Sequence, residues 1–82
     1  MITVRVQFWS YFKDLAGCAE ASVKLPDGAS IADLLRDIYG RFPKLAAAEK
    51  STLIAVGVNY QPRTYNLKDG DEVSLFPPVQ GG

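Results

Sequence analysis

The sequence predicts a two-layer α+β domain, a mixed sheet of four to five strands with one main helix packed across it. Three observations lead there. Ile2, Val4, Val6 and Phe8 alternate with Thr3, Arg5, Gln7 and Trp9, the period of two expected of a strand with one face on a core. Ile31, Leu34, Leu35, Ile38 and Phe42 fall at i, i+3, i+4, i+7 and i+11, a single apolar stripe along a helix. Pro26-Asp27-Gly28 and Lys68-Asp69-Gly70-Asp71 are strong turn signals that separate the periodic segments.

The remaining elements follow in order. After the first strand, Ser10 is expected to N-cap a short helical turn over Tyr11 to Ala16, which Gly17 stops. Ala21, Val23 and Leu25 alternate again and make a second strand, expected to pair with the first. Ser30 heads the main helix, and Asp33 three residues on makes a capping-box arrangement. Arg36, Asp37 and Arg41 lie off its apolar stripe, and Pro43 disfavours continuation. The Ala-rich segment Leu45 to Lys50 predicts a further short helix. Leu53 to Val58 reads as a buried strand, Asn59 to Pro62 as a turn, and Arg63 to Tyr65 as a short strand. Glu72 to Phe76 is the last strand, ended by Pro77-Pro78. A ferredoxin-like fold wants two helices of similar rank. With only one long helix, the order favours a ubiquitin-like β-grasp. No repeat or linker interrupts the chain, so residues 1–82 are expected to form one domain with 77–82 as an extended C-terminal tail.

Composition narrows the function. Nine Lys plus Arg balance nine Asp plus Glu. The chain therefore lacks both the basic stripe of a nucleic-acid binder and the polybasic segment of a membrane-surface protein. There is no histidine and one cysteine, Cys18. That excludes His-dependent nucleophilic catalysis, Cys₂His₂ zinc binding and an internal disulfide. No apolar stretch approaches the ~20 residues of a membrane span. The segment after Met1 does not resemble a signal peptide, so the chain reads as cytoplasmic. Cys18 is expected to be inert, since nothing adjacent in sequence lowers its pKa. Asp69, Asp71 and Glu72 are explained by turn chemistry better than by a metal site.

The chemistry points to the last six residues, Pro77-Pro78-Val79-Gln80-Gly81-Gly82. A Gly-Gly ending taken alone reads first as a frayed terminus. Here two prolines follow a core strand directly and send the chain out in a stiff extended form. Val79, Gln80 and Gly81 would then deliver Gly82, a tip without side chains, into a site too narrow for a Cβ. Trp9 and Phe76 are expected on the face opposite the helix. With Pro77 and Pro78 they form the candidate partner interface.

Leu67-Lys68-Asp69-Gly70-Asp71-Glu72-Val73 followed by Pro77-Pro78-Val79-Gln80-Gly81-Gly82 resembles the C-terminal signature of the molybdopterin synthase small subunit. Phe8, Phe12-Lys13-Asp14-Leu15-Ala16-Gly17, Gly28-Ala29-Ser30-Ile31-Ala32-Asp33-Leu34-Leu35, Phe42-Pro43 and Val58-Asn59 are similar to the rest of that family. The resemblance implies a β-grasp sulfur carrier that binds no cofactor itself. An E1-like adenylating enzyme would use ATP and magnesium to activate Gly82, and a sulfur donor protein would convert it to a thiocarboxylate. The tip would then enter the synthase large subunit and give its sulfur to a pterin precursor. Relatives of this family include the thiamine-pathway sulfur carrier and ubiquitin-like modifiers joined to lysines through their terminal glycine. Both stay open as alternatives at this point.

Overall fold

The computed structural model describes residues 1–77. Five strands form one sheet in the order β2-β1-β5-β3-β4, with β1 Ile2–Phe8, β2 Glu20–Leu25, β3 Leu53–Val56, β4 Asn59–Tyr60 and β5 Glu72–Phe76. β1 and β5 lie parallel at its centre, with Val6 opposite Val73 and Phe8 opposite Leu75. The other pairs are antiparallel. Helices α1 Phe12–Ala16, α2 Ile31–Arg41 and α3 Pro43–Ala46 complete the domain. The architecture is the expected ubiquitin-like β-grasp.

One sheet face is dry. Val4, Val6, Val23, Val73 and Leu75 meet Ile31, Leu34, Leu35 and Ile38 of α2 in a single buried cluster. These are the apolar halves of the two periodicities. Phe42 closes the end of the stripe, its ring edge-on to Phe8 with centroids 5.3 Å apart. The capping box forms as expected: the Ser30 hydroxyl accepts from the Asp33 N–H, and the Ser30 N–H donates 2.9 Å to the Asp33 carboxylate. That bond, then the Ser30 hydroxyl and the Arg36 charge, hold the Asp33 carboxyl below its ordinary pKa.

A second local device sets the register of β5 against β1. Asp69 accepts the Thr3 N–H at 2.8 Å, the Thr3 carbonyl accepts the Gly70 N–H at 2.8 Å, and Asp71 accepts the Lys68 N–H at 2.8 Å. Gly70 supplies the turn with φ +86°. The acidic residues here serve the turn, as expected, while Glu72 pairs with Arg5 across the sheet at 3.3 Å.

Five local expectations are corrected. Ser10 does not N-cap α1. Its φ is +56°, whereas a capping side chain needs extended backbone, and Tyr11 takes the cap position without a side-chain bond. The sharp left-handed turn at Ser10 drops Phe12 directly into the core. The strand expected over Leu53 to Val58 stops at Val56, because Gly57 at φ +62° opens a two-residue hairpin loop. Asn59, expected in a turn, therefore starts β4. No strand forms at Arg63 to Tyr65. The Arg63 and Tyr65 carbonyls instead accept the Ala32 and Ile31 N–H groups, orphan donors of the α2 first turn. The helix expected over Leu45 to Lys50 is split into α3 and a 3₁₀ turn at Glu49–Ser51. There the Ser51 and Thr52 hydroxyls both donate to the Ala48 carbonyl and compete with helical bonding.

Candidate functional site

The solvent face of the sheet is divided in two. Over β2, β1 and the start of β5 it carries Thr3, Arg5, Glu20, Ser22, Lys24 and Glu72, all exposed. Over the end of β5 and the β3–β4 hairpin it is apolar. The division follows from register. Ala55 sits opposite both Tyr60 and Ser74, and Leu53 opposite Phe76, so these side chains share the face turned away from α2.

Trp9 and Phe76 line one groove of ≈ 510 Å³ on this apolar half, together with Val58 and Tyr60. The shared face expected for Trp9 and Phe76 is thus present. Phe8 and Leu75 point into the core, and the residue that follows each, Trp9 just past β1 and Phe76 at the end of β5, lines the groove on the other face. The Trp9 N–H donates to the Leu75 carbonyl at 3.1 Å, which ties the strand ends together beneath the groove. Val58 is 94 % exposed and Tyr60 67 %, a concentration of apolar surface with no cover from the described residues.

Val58 and Tyr60 were not among the expected interface residues. The signal that marks them is Gly57. Once it is read as the loop glycine of a tight hairpin, Val58 becomes the loop tip and Tyr60 an outward strand position. Pro77 follows Phe76 directly and is half-buried, at the start of the tail. Pro78, Val79, Gln80, Gly81 and Gly82, which carry the expected insertion and sulfur-carrying roles, lie outside the described residues. Cys18 is half-buried against the core and away from the groove-lining set.

The ThiS family model matches residues 6–82, from the middle of β1 through both terminal glycines. The chain belongs to the ThiS family. Among similar proteins, the molybdopterin synthase sulfur carrier subunit of Chlamydomonas reinhardtii is 36 % identical over 81 residues, covering 96 % of this chain and 98 % of that protein. Among solved structures, a candidate molybdopterin converting factor subunit 1 from Pyrococcus furiosus superposes with a TM-score of 0.89 at 34 % identity, covering 96 % of this chain and 100 % of that one. A chain from the complex of subunits 1 and 2 of molybdopterin-converting factor from Helicobacter pylori gives a TM-score of 0.71 at 27 % identity, covering 99 % of this chain and 100 % of that one. The resemblance seen in the sequence motifs therefore extends over the whole ThiS-family domain and its fold.

Proposed function

We propose that this chain is the sulfur carrier subunit of a molybdopterin synthase, and that Gly82 is the residue that carries the sulfur. The observation that carries this reading is the family match through Gly82, joined to an apolar groove at the strand end from which the tail departs. Two proteins more than 30 % identical to this chain are such a carrier subunit and a candidate for one.

In this reading the terminal carboxylate of Gly82, a poor electrophile, is activated by an E1-like enzyme as an acyl-adenylate at the expense of ATP with magnesium. Sulfur from a donor protein displaces the adenylate and leaves a thiocarboxylate. That group is more acidic than a thiol and is ionised near neutral pH, so it is ready to attack a pterin precursor. The general acids and bases belong to the partners. This chain contributes a carboxylate and a surface that aims it. Gly81 and Gly82 admit the tip to a narrow site because neither has a Cβ. Trp9, Phe76, Val58 and Tyr60 make the contact that holds the large subunit, with the aromatic content typical of interface cores. A similar chain is found in the Helicobacter pylori complex of subunits 1 and 2.

The test is the intact mass of the full chain after incubation with an E1-like enzyme, ATP, magnesium and a sulfur donor. Replacement of one oxygen by sulfur at the terminus is the expected result. Conjugation of Gly82 to protein lysines would make the chain a modifier instead. An unreacted terminus beside a demonstrably active enzyme would leave it an interaction module with an inert tail.

A further inference from the structure

The two edges of the sheet are unequal. β4 is only two residues long, Asn59–Tyr60, and offers little backbone to a neighbour. β2 is six residues long and lies at the other edge. Its odd-numbered residues turn their backbone groups toward β1, in the same sense as the 2.9 Å bond from the Phe8 N–H to the Ala19 carbonyl. The N–H and C=O groups of Glu20, Ser22 and Lys24 therefore point outward. The Ser22 carbonyl proves the direction, since it accepts a bond of 3.2 Å from the Arg41 guanidinium on α2.

We propose that β2 is a self-association edge, on which a second copy of this chain adds its own β2 antiparallel about a twofold axis at Ser22. The charge pattern of β2 singles out this pairing. In that register Ser22 faces its own counterpart, Glu20 faces the Lys24 of the second copy, and Lys24 faces its Glu20. Each pair can exchange two backbone bonds, with side chains directly opposite at Cβ separations of about 4.5–5.5 Å. Moving the axis to Ala21 or Val23 breaks both ion pairs, so one register is singled out. Two copies also meet without net repulsion, because the formal charge is zero. A groove of ≈ 690 Å³ between β2 and α2, lined by Lys24, Asp37 and Arg41, leaves space beside the edge. The edge lies across the sheet from the β3–β4 hairpin, so pairing leaves the apolar groove open.

Arg41 competes with this pairing. Its guanidinium, 3.4 Å from Asp37, occupies the place at the Ser22 carbonyl that the second copy's N–H would take. It keeps the edge closed at low concentration, in the manner by which charged side chains blunt sheet edges. Sedimentation equilibrium of the full chain at low salt, from micromolar to millimolar, tests this. Arg41→Ala is expected to tighten dimerisation on the order of tenfold, the effect of removing from each of the two copies an exposed charged hydrogen bond that association must break. Lys24→Glu is expected to weaken it by a similar factor, and Glu20→Lys combined with Lys24→Glu in the same chain to restore it. All these positions are exposed, so the variants keep the fold. Monomers throughout the range for both the wild-type chain and Arg41→Ala, or a dimer indifferent to the charge exchanges, would overturn the proposal.

Discussion

Tyr60 and Phe76 meet on the solvent face of the sheet, ring centroids 5.7 Å apart and planes tilted by 56°. One comes from the short hairpin strand and the other from the last residue of β5, immediately before the tail. The contact couples the proposed docking surface to the end of β5, next to Pro77, the last of the described residues. A partner that grips these rings therefore also sets the origin of the tail.

Phe76→Glu places a carboxylate where that contact is made. Burying it against a partner leaves an uncompensated charge, so affinity for the large subunit is expected to fall by on the order of a hundredfold or more. The isolated domain should keep its fold, because Phe76 is only half-buried. Calorimetry of the complex checks the first statement and circular dichroism the second. Unchanged affinity would move the interface elsewhere.

Leu34 is fully buried between α2 and the sheet. Leu34→Ala is expected to destabilise the domain by roughly 2–5 kcal/mol through lost burial and a residual cavity. This is a large share of the ~5–15 kcal/mol of a typical domain. A urea midpoint that barely moves would show that the site collapses without penalty.

The capping box predicts an acid limb to stability. The Ser30 backbone N–H, foremost, holds the folded-state pKa of Asp33 below its unfolded value. Its stabilisation is therefore complete above the unfolded carboxylate pKa of about 3.9 and is lost as pH falls through the lower folded value. Asp33→Ala should melt below wild type at pH 7, and the two melting curves should converge as the pH falls through the lowered folded-state value. Ser30→Ala should cost about 0.5–2 kcal/mol at neutral pH. A constant gap between wild type and Asp33→Ala down to acid pH would show that the carboxylate is not what the helix uses.

What was legible in the sequence is what periodicity and capping encode. The α2 stripe, the Ser30–Asp33 box, the first two strands and the Gly70 turn all form where local pattern and tertiary demand agree. The pairing of Trp9 and Phe76 on one face followed from strand alternation alone. The misread places are those where a long-range partner decides. Arg63 to Tyr65 looked like a strand because nothing local tells that its carbonyls would cap a helix thirty residues earlier in the chain. Ser10 looked like a cap because the need to bury Phe12 at once is a tertiary matter. The hairpin at Gly57 was hidden by the valines on either side, which prolonged an apolar run past the turn. With it, Val58 and Tyr60 were lost from the expected interface.

The central claim is that sulfur travels on Gly82, and a sulfur-transfer assay with altered termini tests it most directly. Deleting Gly82 retracts the reactive carbon by one residue, about 3.3–3.6 Å of extended chain. Misplacement of about 1 Å already costs on the order of a hundredfold in rate. Adding one residue after Gly82 moves the carboxylate out of place in the other direction. Both variants should bind the large subunit through the unchanged groove and transfer no sulfur to the pterin precursor, while the wild-type chain transfers it fully. Full transfer by either variant, with the altered terminus still intact by mass, would contradict the account.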